Sequence, residues 1–317
     1  MINKLKAFMM MLFIPVVVLT SCSKTEQGYT TEGVAPGKTI NIAKDNFQNY
    51  FIITGHVGDY YVRTDSTLKR ITAVYASITP DLDRSTSLVT PNIDLEAKVT
   101  VYYREAHIDN NGASITEYKT HDLIIKSTKI SEGNPRVPAV SSFENNDYLQ
   151  LPDGNSPSYY SYSLYNYKVE IIKASGTLKI SNDIRCYESD IKMENAYDLF
   201  DINPLKEIGR EQKDNKVKIY YSIGASRNNS SYHGFSVLFF DKASIKIAYE
   251  IGFQNYRPDL IFKGDIDLKF TAFGYALKIV EITIDNVDSR AVLEYSIRTS
   301  LKDANGVMYL DTTLQNN

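Results

Sequence analysis

From Ile40 onward the apolar residues of this chain recur at every second position, and that period excludes a helical fold. Ile93, Leu95, Ala97, Val99, Val101 and Tyr103 alternate with Asp94, Glu96, Lys98, Thr100 and Tyr102. Such alternation belongs to a strand with one buried face and one wet face. Ala243–Ile251, Ile266–Phe270 and Ala291–Ile297 repeat it. Half-buried strands of this kind favour antiparallel sheet, because parallel strands covered on both faces read as continuous apolar runs. Asn111-Gly112 and Asn305-Gly306 each lie between strand-like runs, where Asn-Gly suits the left-handed backbone of a tight hairpin. Pro80, Pro91, Pro204 and Pro258 are expected at run ends, where a missing N–H does little harm. Only Asp45–Tyr50 and Glu194–Phe200 suggest a helical turn. The expected class is all-β.

Two halves resemble one another in outline. Asn46–Ile53 has a loose counterpart in Asn195–Ile202, Ile71–Ile78 (ITAVYASI) in Val217–Ile223 (VKIYYSI), and Leu95–Tyr103 in Ser244–Tyr249 with its flanks. The common offset of roughly 145–150 residues argues for duplication, because unrelated matches would scatter. Tyr167-Lys168-Val169 is paired more loosely with Tyr275–Ile279. Residues 131–158 are rich in Pro, Asn, Ser and Gly and lack alternation, so they are expected to be one long loop. The expected division is residues 39–182 for a first sandwich containing that loop and 183–317 for a second. The alternative is a single large sandwich whose strands look alike because all half-buried strands do.

The head of the chain carries an address. Lys4 and Lys6 precede an apolar run from Ala7 to Leu19, shorter than the roughly 20 residues that span a bilayer as a helix. The run ends in Leu19-Thr20-Ser21-Cys22, which resembles the lipobox of bacterial lipoproteins. That resemblance implies cleavage of residues 1–21, acylation of Cys22 (palmitate among the acyl groups) and a membrane-tethered, extracytoplasmic protein of the cell envelope. Ser23 in place of an aspartate implies the outer membrane in a two-membrane host. Residues 22–38 would be the lipidated N-terminus and a flexible spacer. With Cys22 acylated, only Cys186 remains, so no intrachain disulfide is expected.

Chemistry is harder to find. Without the signal, 33 basic residues face 38 acidic ones, a balance that gives no reason to expect nucleic acid. The four histidines, His56, His107, His121 and His233, form no metal-binding motif. Asp109-Asn110-Asn111-Gly112 lacks the alternating ligands of a calcium loop and reads as a hairpin. Gly234-Phe235-Ser236-Val237 lacks the second glycine of a nucleophile elbow, and no phosphate-cradling glycine loop is present. The expectation is therefore no enzyme, no metal and no cofactor. Tyr159, Tyr160, Tyr162 and Tyr165 crowd the end of the long loop, with Tyr167 beyond them, and Tyr60-Tyr61 follows Gly55-His56-Val57-Gly58. Tyrosine joins an apolar ring to a hydroxyl, useful for a glycan or a protein partner; otherwise these side chains would serve the core.

Asn46-Phe47-x-x-Tyr50-Phe51 with Tyr75–Pro80 resembles segments in immunoglobulin-like and fibronectin-III-like repeats of bacterial surface lipoproteins. The resemblance implies tandem antiparallel β-sandwich domains and no particular activity. The functional expectation is a membrane-anchored surface binding or adhesion module, with Tyr159, Tyr160, Tyr162 and Tyr165 as candidate contacts. Alternatives are a structural envelope or assembly protein without a ligand, or a surface hydrolase. Cys22→Ala is expected to abolish incorporation of labelled palmitate and to move the protein into the soluble fraction; unchanged labelling would refute the lipobox.

Overall fold

A computed structural model of the chain describes residues 39–64, 67–79, 89–109, 111–126, 147–152, 159–180, 185–187, 200–227, 238–240, 244–253, 260–272, 274–287, 295–302 and 308–316. The lipobox, Cys22, the spacer, Asn305-Gly306, residues 194–199 and most of 131–158 lie outside the described residues. The strands are β1 (Thr39–Ala43), β2 (Ile52–Thr64), β3 (Thr67–Thr79), β4 (Val89–Ile108), β5 (Ser114–Lys126), β6 (Leu149–Gln150), β7 (Tyr160–Ile180) and β8 (Arg185–Tyr187). They continue with β9 (Phe200–Lys213), β10 (Lys216–Arg227), β11 (Leu238–Phe240), β12 (Ser244–Phe253), β13 (Ile261–Lys269), β14 (Tyr275–Asp285), β15 (Tyr295–Lys302) and β16 (Met308–Asn316). Among the described residues one 3-10 turn, Phe47–Asn49, is the helical content, within the stretch where the sequence suggests a turn. The protein is all-β.

Two sandwiches share one plan. In the first, a three-stranded sheet β2-β3-β6 covers a four-stranded sheet β1-β7-β4-β5; in the second, β9-β10-β14 covers β16-β15-β12-β13. Every pairing within these sheets is antiparallel, as immunoglobulin-like sandwiches require. A short parallel pair, β8 with β11, lies apart from them. ITAVYASI is β3 and VKIYYSI is β10, each the middle strand of the smaller sheet. The weakest sequence match does not hold: Tyr167 lies in β7, whose counterpart by strand order is β15, whereas Tyr275 opens β14. One position differs in origin. The edge strand beside β7 is β1, from the N-terminal side, whereas the strand beside β15 is the C-terminal β16.

The alternation shows directly in burial. Ile93, Leu95, Ala97, Val99, Val101 and Tyr103 of β4 all point into the first core, joined by Phe47, Phe51, Val74, Leu123, Ile125 and Leu178. Ile219, Tyr221, Ile247, Ile251, Ile284 and Ile297 build the second core in the same way. Each fully buried aliphatic side chain contributes about 1.5–3 kcal/mol relative to exposure. Beyond these two cores the halves touch at a tyrosine junction. Tyr165 of β7 packs on Tyr220 of β10 at 5.3 Å between ring centroids and on Tyr118 at 5.8 Å. The Gln212 N–H donates to the Tyr118 hydroxyl at 3.1 Å. A side chain at Gly209 would meet Tyr165 Cβ at 2.6 Å and the Leu164 carbonyl at 2.7 Å, so only glycine lets β9 pass this close. On the other side the Ala272 N–H donates to the Asn49 carbonyl at 2.7 Å, and Ala272 is buried in the first core.

Three local readings are refined. The Asp109 carboxylate accepts the N–H groups of Asn111 and Ala113 at 2.9 and 2.7 Å, closing the β4–β5 hairpin as a side-chain turn cap. The stretch 131–158 is not one uninterrupted loop: it contains β6, whose Leu149 and Gln150 pair with Val74 and Ala73 of β3. Two residues are too few to show a period, which is why the sequence hides them. Pro204 lies inside β9 rather than at an end; β9 is an edge strand, and its ladder to β10 breaks register at Ser222/Gly224, beside Pro204.

Gly176 lies toward the C-terminal end of β7, where β1 and β4 pass on either side, opposite Ile42 and Ile93. Its φ is +133°, and a Cβ there would lie 2.1 Å from the Asn92 carbonyl oxygen. Gly176→Ala is expected to lower stability by at least about 2 kcal/mol, read as a lower urea midpoint; an unchanged midpoint would refute this packing.

Candidate functional site

Antiparallel alternation leaves each sheet one outward face, and on three of the four the described residues include rows of paired opposite charges. Outside β1-β7-β4-β5, Lys98 meets Asp122 at 2.7 Å, Lys126 meets Glu96 at 3.6 Å and Lys173 pairs with Asp94. Outside β9-β10-β14, Lys216 meets Asp285 at 3.0 Å and Lys218 meets Glu281 at 3.1 Å. Outside β16-β15-β12-β13, Lys246 meets Asp265 and Lys263 meets Glu250, both at 2.9 Å, and Arg298 holds Asp311 with two parallel bonds of 2.8 and 2.7 Å. Exposed pairs like these contribute about 0.2–1 kcal/mol each. They keep the faces wet and self-neutralised.

The outward face of β2-β3-β6 is built differently. Its register sets His56 opposite Tyr75, Thr54 opposite Ser77 and Gly58 opposite Ala73. His56 stacks on Tyr75 at 5.0 Å with 18° between the rings, Tyr75 contacts Tyr60 at 5.0 Å, and Tyr60 contacts Tyr148 at 4.9 Å. The result is one row, His56–Tyr75–Tyr60–Tyr148, of half-buried rings. Tyr60 faces Ile71 in the ladder, four positions from the His56–Tyr75 pair, or roughly 13 Å along a strand. The rings therefore lean together across the small Gly58–Ala73 pair, and Ala73 is fully buried. Ring contacts of this kind contribute about 0.5–1.5 kcal/mol beyond their area.

At the end of the row three polar groups close a triangle. Nε2 of His56 lies 2.6 Å from Thr54 Oγ1 and 2.7 Å from Ser77 Oγ, and the two hydroxyl oxygens are 3.0 Å apart. Burial pushes the His56 imidazole below its ordinary value of 6.5, so the ring is neutral at pH 7. Burial, with Asp59 nearby, pushes the Tyr75 phenol up, and burial with its tyrosine neighbours does the same for Tyr60. The row is an uncharged set of rings, hydroxyls and one imidazole.

The four tyrosines singled out by sequence are divided among three environments. Tyr159 is 65% exposed just before β7. Tyr160 and Tyr162 share a ladder with the end of β4, opposite His107 and Glu105. There His107 stacks on Tyr160 at 5.0 Å, Tyr160 on Tyr162 at 6.2 Å, and the Tyr162 hydroxyl donates to the Pro152 carbonyl at 3.2 Å. Glu105, 5% exposed, pairs with Lys119, which also reaches Glu117 at 3.0 Å. Burial, with Glu105 beside it, pushes the Tyr162 phenol far above its ordinary range. Tyr165 is 6% exposed in the junction between the sandwiches, and burial there, with Glu211 close, raises its phenol to about 12. Its ring serves packing. Sequence reasoning placed His56 and Tyr60 in one stretch but missed Thr54, Tyr75, Ser77 and Tyr148; Tyr75, Ser77 and Tyr148 lie 19 or more residues from His56 and carry no local signal.

No protein-family model matches the chain, and no curated sequence does. Among solved structures, a β-glucuronidase from Bacteroides uniformis is 8% identical with a TM-score of 0.24, covering 84% of this chain and 32% of that one. A glycosyl hydrolase family 2 member from Bacteroides cellulosilyticus is 8% identical with a TM-score of 0.24, over 87% of this chain and 36% of that one. The FN1–FN3 domains of chicken CNTN1 are 9% identical with a TM-score of 0.15, over 92% and 98%. The chain spans about a third of the length of the two enzymes. At this similarity none of their activities transfers to it.

The lowered value of His56 gives stability a pH dependence. Below about pH 6.5 the unfolded chain protonates an imidazole that the folded chain keeps neutral, so stability falls as pH falls. Between pH 7.5 and pH 5.5 the urea midpoint is expected to drop less in His56→Gln than in the wild type; equal drops would refute a neutral, buried His56.

Proposed function

We propose that this chain is a lipid-anchored, extracytoplasmic binding module, tethered through Cys22 at the surface of the cell envelope. In this reading it has no catalytic role of its own, and the outward face of β2-β3-β6 makes the contact. The observation that carries the reading is the contrast between faces. Among the described residues three carry paired opposite charges, two of them also meeting at the Tyr118–Tyr165–Tyr220 junction, while the fourth concentrates His56, Tyr75, Tyr60 and Tyr148 into one uncharged row. Tyrosine in such numbers on one face suits recognition, since each ring brings contact area and a hydroxyl at small conformational cost. Two sandwiches joined through Tyr165 and Tyr220 would carry that face as a firm body beyond the spacer. The lipobox supports the address and the spacer supports display.

Intact cells expressing the chain are expected to lose it to added protease while a cytoplasmic marker survives. Their adhesion to polysaccharide- or protein-coated surfaces is expected to fall severalfold in Tyr60→Ala/Tyr75→Ala and to persist in Lys246→Ala, which alters only a charged face. Adhesion equal in both variants would refute the role given to this face.

A further inference from the structure

We infer that the row His56–Tyr75–Tyr60–Tyr148, with Thr54 and Ser77 at its end, is a binding site for a neutral saccharide. The inference rests on the reading of this face as the contact surface and narrows what that surface takes.

Charge comes first. Every group in the row and its polar triangle is uncharged in type or held neutral, and the exposed Arg70–Asp59 pair on the same two strands neutralises itself. An acidic or basic ligand would find no counter-ion among these six side chains, and leaving a charge desolvated without one is costly. Neutral hydroxyls incur no such cost.

Hydrogen-bonding capacity comes second. Thr54 Oγ1 and Ser77 Oγ sit one hydrogen-bond length apart, both against one imidazole nitrogen. A neutral imidazole nitrogen either donates one hydrogen or accepts at one lone pair, so it cannot satisfy both hydroxyls fully. The two hydroxyls also bond to each other, and each oxygen keeps a spare acceptor lone pair; Thr54 is buried, so Ser77, half-buried, is the one a ligand would reach. Two oxygens at this spacing match the vicinal hydroxyls of a pyranose ring, which can donate to one and accept from the other.

Ring geometry comes third and separates a sugar from a protein partner. Tyr75 and Tyr60 each have a ring neighbour on two sides, so neither offers an open ring face for stacking. His56 and Tyr148, at the ends of the row, each have one ring neighbour among those contacts. None of the four is among the large apolar residues left exposed. A protein interface relies on an apolar anchor that is desolvated at its centre, and none of the four ring residues is such an exposed anchor. A polar ring that lies over the end of the row and hydrogen-bonds to phenols and the Thr54–Ser77 pair uses what is there.

The test is affinity electrophoresis of the full chain in native gels cast with single polymers: neutral ones (a β-glucan, an α-glucan, a mannan) and acidic ones (polygalacturonate, heparin). Retardation is expected with at least one neutral polymer and with neither acidic one. Ser77→Ala and Tyr148→Ala are each expected to weaken that retardation about tenfold, as loss of one or two contacts of about 1 kcal/mol would. Both must keep the wild-type urea midpoint within error; Tyr60→Phe, which keeps the ring, serves if Tyr148→Ala does not fold. No retardation in any neutral polymer, equal retardation in acidic ones, or wild-type retardation of the folded variants would each overturn the assignment. If adhesion still depends on Tyr60 and Tyr75 while no neutral polymer binds, the contact surface stands and the saccharide assignment fails.

Discussion

The first sandwich closes on one line of side chains. Ile93, Leu95, Ala97, Val99, Val101 and Tyr103, all on one face of β4, meet the smaller sheet across the core. Without that line the smaller sheet loses the apolar wall that Val74, Ala76 and Ile78 share a core with. The same period then dictates what happens where the core stops. The next positions on that face, Glu105 and His107, continue the line beyond its apolar part, and the ladder sets Tyr162 and Tyr160 opposite them. Glu105 is buried, so it needs compensation, and Lys119 from β5 supplies it. A buried carboxylate is tolerated only with such a partner, since an unpaired one costs several kcal/mol. The aromatic crowding before β7 is thus in part the polar end of a structural stripe.

How much of this was legible in sequence depends on how far each constraint reaches along the chain. Alternation is local, so the burial of β4, β12 and β13 followed from residue types alone. The Asp109 turn was legible for the same reason. β6 was not, because two residues embedded among Asn and Pro show no period, and what fixes them is β3 across the sheet and Leu151 in the core. Tyr165 was legible as a tyrosine but not as a junction, since its burial depends on Gly209 and Tyr220, more than 40 residues away. The row on β2-β3-β6 was half legible. His56 and Tyr60 lie in one stretch, while Tyr75 and Tyr148 join them only through register and chain return.

The shared strand plan gives the repeated segments a physical meaning. ITAVYASI and VKIYYSI resemble each other because each is the middle strand of a three-stranded sheet, covered on its inner face by a four-stranded one. The two sandwiches then diverge at one edge. β16 follows β15 directly, whereas after β7 the chain passes on toward the second sandwich and leaves that edge to β1. Ile42 of β1 is buried in the first core, and the Asn46 side chain ties β1 down by accepting from the Ala43 N–H and donating to the Asn41 carbonyl. The segment nearest the proposed lipid anchor is therefore part of the fold it would tether.

Surface chemistry separates the four outward faces more sharply than the cores separate the two sandwiches. A lattice of exposed Lys–Asp and Lys–Glu pairs adds little stability. It does discourage contact, because any partner must strip water from charges already satisfied by their neighbours. An uncharged row of rings and hydroxyls imposes a smaller desolvation cost on a partner and still offers directed hydrogen bonds. The same strand geometry supports either outcome; the residue types on alternate positions decide it. On β2 and β3 those positions are Thr54, His56, Tyr60, Tyr75 and Ser77, with Gly58 and Ala73 small enough for the rings to close over them. The other outward faces are built without such a row, and its presence on one face of four is the reason to seek a ligand there.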